Sequence, residues 1–363
     1  MMAFDFNQEA ARCAVIKVMG IGTGGIRTVN HLVQEGLVGV DFVTLSQGSP
    51  MSVSERVGEK IVLRRAMIQG RHHSCLGVGK RQDFLPIGGT RPRLFPEDED
   101  AIQEALESAD MLLLVQELDG SASPLVTARI AEWARDGDRL TVVILTTLPA
   151  FQGDLPGCFA EEWVKALLET RATVAVLQGG RMIEGFSQQD LHPEEVALLM
   201  AEARSHSIRL ITEIITEPGL IGTDFADVRT ILSGGGPATI GVGIGHGEYR
   251  AEDAARMALN RVQQQIPLER AGRILLWVSG SSDMGIHDVN RAASLIQEAV
   301  PGDANIIMGA VVSESFSHSL AVGLLATGFG NGPGEHLRML SSWVSGTSGR
   351  HSGRESGARE ARP

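Results

Sequence analysis

The sequence predicts an α/β protein of two packed units organised around one long helix, and three stretches carry that reading. An apolar run, a glycine-rich turn and an amphipathic segment open the chain over residues 14–37. A stretch with helical apolar spacing in the middle of the chain stops at Pro218-Gly219. Three apolar runs bracketing one helical segment occupy residues 274–327, an order of elements that suggests an α+β second unit. A chain of 363 residues is long enough to bury a large core in two such units.

Composition narrows the function classes. A formal net charge of −12 argues against broad binding to nucleic acid or anionic lipid, because the summed field repels phosphate. No charged-then-apolar leader opens the chain, and no apolar run approaches the roughly 20 residues that span a bilayer. A cytoplasmic location without direct membrane insertion is the expectation. Cys13, Cys75 and Cys158 are odd in number and widely spaced, so a disulfide framework is not expected. His72, His73 and Cys75 are metal ligands by type but lack a second ligand pair nearby, and no metal site is expected.

The first strand is Ala14 to Met19, and Gly20-Ile21-Gly22-Thr23-Gly24-Gly25 follows it before the amphipathic segment Thr28 to Leu37. Strand, glycine turn and helix together present backbone N–H groups to a phosphate at a helix N-terminus. Gly20, Gly22 and Gly25 fit G-x-G-x-x-G. A dinucleotide site also needs an acid at the end of the next strand, yet Val40 to Leu45 ends in Ser46-Gln47, with Asp41 at the wrong end. Residues Lys60 to Arg93 read as a long surface loop, rich in glycine and basic residues. Helix Glu97 to Ala109 has an acidic first turn that suits its dipole, and the strand Met111 to Val115 follows. Helix Leu125 to Arg135 and strands Thr141 to Thr146 and Thr173 to Leu177 complete the first unit.

Leu199, Ala203, Ile208, Ile211 and Ile215 give the middle helix its apolar spacing, and it delivers a loop carrying Asp224 and Asp227. Taken alone, such an acidic pair either solvates a loop and caps the next helix, or contributes chemistry. The second unit follows as strands Ile274 to Val278, Asn305 to Val312 and Leu320 to Thr327, with helix Val289 to Val300. Residues 331–363 are rich in Gly, Ser and Arg and read as a disordered tail. Leu337, Leu340, Trp343 and Val344 could make one short amphipathic turn within it.

Glu217-Pro218-Gly219-Leu220-Ile221-Gly222-Thr223-Asp224-Phe225-Ala226-Asp227-Val228-Arg229 closely resembles the catalytic "synergy" loop of FtsZ, the bacterial tubulin relative, P-G-L-[IM]-N-x-D-F-A-D-V-[RK]. Gly222 stands where that family has asparagine. Gly20, Gly22, Gly24, Gly25, Val29 and Asn30 match its first nucleotide loop, and Leu76-Gly77-Val78-Gly79 resembles its γ-phosphate loop. Gly247-Glu248-Tyr249-Arg250-Ala251 follows G-E-N-R-A, and Ala304 to Ala310 and Ala326 to Phe329 are similar to the family as well. The resemblance spans residues 14 to 330. It implies a Rossmann-like N-terminal GTPase domain (1–195), a core helix (196–217), a C-terminal α+β domain (218–330) and the tail. It also implies GTP or GDP as ligand, with Mg2+ only if a nucleotide binds. Catalytic roles then fall on Asp224 and Asp227, and nucleotide contacts on Gly20, Gly22, Gly24, Gly25, Gly77, Gly79, Gly120 and Arg181.

The departures concentrate on the nucleotide-holding side. In place of the signature G-G-G-T-G-[TS]-G the chain has Gln116 to Pro124, about four residues shorter, with Gly120 its only glycine and Glu117 and Asp119 where a polyanion would sit. Base-reading A-N-D is replaced by Met200-Ala201-Glu202, and of P-N-[DE]-[RK] only Arg181 remains. The FtsZ peptide that docks membrane anchors is absent from the tail. The resemblance therefore implies a cell-division or paralogous filament protein with degraded GTP loops. Its expected partner is itself or a true FtsZ, head to tail. The alternatives are an active divergent GTPase that polymerises with GTP and a non-polymerising scaffold.

Overall fold

The computed structural model describes residues 14–47, 52–63, 94–118, 122–147, 157–179, 192–313, 316, 318–330 and 332–344. Its first half is doubly wound. Strands β1 (Ile16–Ile21), β2 (Asp41–Gln47), β3 (Glu59–Leu63), β4 (Met111–Glu117), β5 (Leu140–Thr147) and β6 (Thr173–Gln178) run parallel in the order β3-β2-β1-β4-β5-β6. The chain winds one way from β1 and the other way from β4, so the crevice beyond the carboxyl ends of these two strands is the topological switch point where ligands enter such folds. Strands β1, β4, β5 and β6 are buried along their whole length, which is why they read as unbroken apolar runs rather than alternating ones. β3 lies inside the segment read from sequence as a surface loop. Only its Leu63 is buried, and an edge strand of that kind carries no periodic signal.

The sheet does not stop at β6. Thr173 to Ala175 pair in parallel with the start of β8 (Gly236–His246), and β11 (Ser319–Thr327), β9 (Arg273–Gly280), β10 (Asn305–Val312) and β7 (Gly219–Ile221) extend it to eleven strands among the described residues. Both halves of the molecule therefore share one hydrogen-bonded sheet. Two cores cover its faces. One contains Val29, Leu32 and Val33 of α1 (Gly22–Gln34), Ile208, Ile211 and Ile214 of α5 (Pro193–Thr216), and Val228 and Ile231 of α6 (Phe225–Leu232). The other is built by α2 (Pro96–Leu106), α3 (Pro124–Asp136), α4 (Gly157–Glu169), α7 (Arg250–Gln263), α8 (Ile286–Ala299) and α9 (Pro333–Val344).

Helix α9 corrects the expected tail. Its Leu340, Trp343 and Val344 are buried in the second core, and the helix packs on α4 and β6. Gln178, at the end of β6, donates from its side-chain amide to the Trp343 carbonyl at 3.1 Å. A stripe of three large apolar groups thus finds a sheet face to cover, and residues 345–363 lie outside the described part. No described helix is long and apolar enough to cross a membrane.

Candidate functional site

Helix α1 starts directly off β1 without a side-chain cap, its turn made possible by Gly22 at φ +70°. Such a start leaves the first-turn N–H groups pointing at the switch point. The glycines there have separate duties. A Cβ on Gly20 would collide with the Gly25 carbonyl, and one on Gly25 with the Val115 carbonyl, so these two let helix and strand pass at backbone contact. A Cβ on Gly24 would fall inside the Glu117 carboxylate. The Glu117 side chain, at the end of β4, therefore lies across the first turn of α1.

Glu117 is only 5% exposed, and its partner arrives from the long helix. Arg204 of α5, with no exposed surface, places Nη1 3.1 Å from Glu117 Oε2. Its Nε donates to the Thr28 hydroxyl at 2.6 Å, and that hydroxyl donates to the Gly24 carbonyl at 2.9 Å. The described residues on either side of the β4-to-α3 connection are tied down as well. The Gln116 side chain donates to the Ala122 carbonyl at 3.0 Å and accepts from the Thr127 hydroxyl at 2.5 Å, while the Ser123 amide donates to Gln47 Oε1 at 3.2 Å. The sequence signal for Arg204 is faint: with Met200 and Ile208 it forms an i, i+4 row, a cation in line with an apolar stripe.

A second cluster joins α5 to the far end of α1. Arg209 pairs with Glu213 at 2.5 Å and with Glu35 at 3.3 Å, and Glu35 also accepts from the Ser205 hydroxyl at 2.7 Å. Burial pushes the Glu213 carboxyl above its ordinary range against the pull of Arg209. Burial also pushes at Glu35, but Ser205, Arg209 and the neighbouring histidines outweigh it and hold that carboxyl low. The two carboxylates of one arginine shift oppositely because Glu35 keeps a third of its side-chain surface in solvent and Glu213 only 2%. Burial lowers the His206 imidazole, whose ring lies 6.1 Å from Phe316.

Because Arg204 faces the start of α1, Arg209 its end and Thr216 the following Gly39, α5 runs from the crevice to the opposite end of the molecule. The 12 residues from Arg204 to Thr216 span about 18 Å along the helix axis. Beyond them lies the loop with the acidic pair. β7 pairs antiparallel with β10, Gly219 abuts the Ala310 carbonyl, and the Thr223 hydroxyl donates to the Met308 carbonyl at 3.0 Å. Asp224 caps α6, accepting from the Asp227 amide at 2.8 Å, so the capping role anticipated as one alternative is present. Asp224 and Asp227 are nonetheless exposed. A Cβ on Gly222 meets nothing within 4 Å, which leaves room there for the family's asparagine.

The structure thus brings Gly20, Gly22, Gly24 and Gly25 together at the crevice and places Asp224 and Asp227 at the far end of α5. Gly77, Gly79, Gly120, Arg181 and Asp119 lie outside the described residues.

Residues 236–330 match the model of the C-terminal domain of the FtsZ family. Two solved structures of M. jannaschii FtsZ, a tryptophan-to-tyrosine mutant and an empty dimer, are 25% identical with TM-scores of 0.69, covering 87% of this chain and 91% and 88% of theirs. CetZ2 from Haloferax volcanii, solved as a GTPγS-bound protofilament, shares the fold at 17% identity and a TM-score of 0.63, over 91% of this chain and 97% of its own. The fold is that of the FtsZ/tubulin class of cytoskeletal GTPases. Within that class the chain is similar to FtsZ, by the family model over residues 236–330 and by structure over 87% of its length.

That fold implies a guanine nucleotide at the switch point, and the described residues do not fit one. A phosphate over the first turn of α1 would have to share its place with the Glu117 carboxylate, and two such charges repel wherever they meet. Gly25→Ala separates packing from ligand contact. Forcing a methyl into backbone is expected to cost about 3 kcal/mol by denaturant melt with no nucleotide added, against less than about 0.5 kcal/mol for Gly222→Ala. Equal stability of the two variants would assign Gly25 to ligand contact alone.

Proposed function

We propose that this chain is an FtsZ-like filament subunit, or a modulator of a true FtsZ in cell division or a paralogous filament process, with degraded nucleotide loops and a retained synergy loop. The observation that carries the reading is the far end of α5, where Asp224 and Asp227 are exposed on a loop anchored at Gly219 and Thr223. In a head-to-tail stack that loop faces the nucleotide of the next subunit. A neighbour that holds GTP would receive two carboxylates able to orient a water, while this chain returns no equivalent nucleotide-filled face. Such a subunit caps filaments or inserts weak joints. The protofilament and dimer forms of the similar structures support assembly of this kind, and a cytoplasmic location belongs to the same reading.

The test uses the full chain with FtsZ from the same cell. Adding it is expected to change GTP turnover and filament length, and the chain alone should purify without bound nucleotide. Asp224→Ala removes a cap worth about 1 kcal/mol, whereas Asp224→Asn keeps the cap and removes the carboxylate charge. Both variants, each combined with Asp227→Asn, should abolish the effect on turnover while only the alanine lowers stability. GTP carried through purification favours the divergent GTPase instead. Unchanged turnover and sedimentation of FtsZ at every ratio favour the scaffold.

A further inference from the structure

We propose that the Glu117 carboxylate is a resident anion, built into the chain in place of a nucleotide phosphate, which locks α1 to α5 with no ligand present. The proposal deepens the reading above and rests on its degraded nucleotide loops. Three observations support it. The carboxylate lies at the switch point against the first turn of α1, where the helix dipole favours negative charge. Gly24 lacks the Cβ that would exclude it. Its cation, Arg204, is fully buried and comes from the long helix, so one ion pair ties the crevice to the element that runs to the far loop.

A buried pair of this kind holds only while its remaining polar atoms are satisfied. Thr28 meets part of that need, accepting from Arg204 Nε and donating its own hydroxyl to the Gly24 carbonyl. Gln116, the residue before Glu117 on β4, is itself held by the Ala122 carbonyl and the Thr127 hydroxyl. In an FtsZ-like fold that depends on nucleotide, the anion that organises this turn comes and goes. Here it is covalently part of β4, and the α1–α5 contact is permanent.

The experiment measures Tm of the full chain with and without inorganic pyrophosphate, at matched ionic strength. The wild type should show no shift. Glu117→Ala should melt lower, and pyrophosphate, entering the vacated space beside Arg204, should raise its Tm by about 2–4 °C. Adding Arg204→Met to Glu117→Ala should abolish that rescue. Glu117→Gln keeps the side chain's volume and loses its charge, so it should melt lower without rescue, and it reads the lock even if the alanine variant fails to fold. Wild-type Tm for Glu117→Gln, or a pyrophosphate shift in the wild type equal to that in Glu117→Ala, overturns the proposal. An unchanged FtsZ turnover alongside the full set of Tm shifts would overturn the filament reading and leave the lock standing.

Discussion

Arg209→Met is expected to destabilise the protein by about 3–5 kcal/mol near neutral pH, because it strands Glu213 as an unpaired buried charge and removes the cation of Glu35. The loss should depend on pH in a definite direction. Glu213 already has its carboxyl raised by burial, so its contribution is fully present below the unfolded-state value and is lost as pH rises through the folded one. Without Arg209 the folded value climbs further. The variant should therefore lie furthest below wild type at neutral and alkaline pH, and the gap should narrow on acidification as Glu213 takes up a proton. Urea melts of both proteins at a series of pH values would check this. A constant gap would mean that Glu213 is not the group left stranded. His206, lowered first by burial and further by Arg209, removes stability as pH falls below its ordinary 6.5, and more from the wild type than from the variant.

The N-terminal half was legible because its buried parallel strands are continuous apolar runs and its first turn is spelled in glycines. The role of those glycines was less legible. A pattern such as G-x-G-x-x-G marks where backbone must come close, but not whether the close neighbour is a ligand or protein. For Gly20 and Gly25 the neighbours are backbone carbonyls, and for Gly24 a carboxylate from a strand 93 positions away. That contact depends on the register of β1 with β4, which single-sequence periodicity does not encode. Glu117 stands out in the sequence as a misplaced charge, and Arg204, its partner, only as a break in an apolar row. The acidic pair was found because its loop is local: Asp224, the capped amide and Asp227 lie within four residues. β3 stayed hidden for the opposite reason, since an exposed edge strand has no face to pattern.

The tail shows where composition misleads, and it carries the second large expectation. Gly, Ser and Arg dominate residues 331–363, yet a stripe of Leu340, Trp343 and Val344 suffices to order a helix when a sheet face offers an apolar bed. Trp343→Ala should cost about 3–5 kcal/mol, the range for emptying a buried aromatic site, and lower Tm by about 4–7 °C. A disordered tail would lose nothing on the same substitution, so an unchanged melt would return α9 to the tail. The cost should also reach the crevice. α9 leaves β11 through the Phe329 carbonyl, which bonds the His336 ring at 2.7 Å, and ends on Gln178 at the carboxyl end of β6. It thus straps the C-terminal half to the N-terminal half on the face opposite α5, and hydrogen exchange in Trp343→Ala should rise along β6 and α4 before it rises along α1 and α5. Protection lost first at α1 would instead place the weakest joint of the molecule at the Glu117–Arg204 pair.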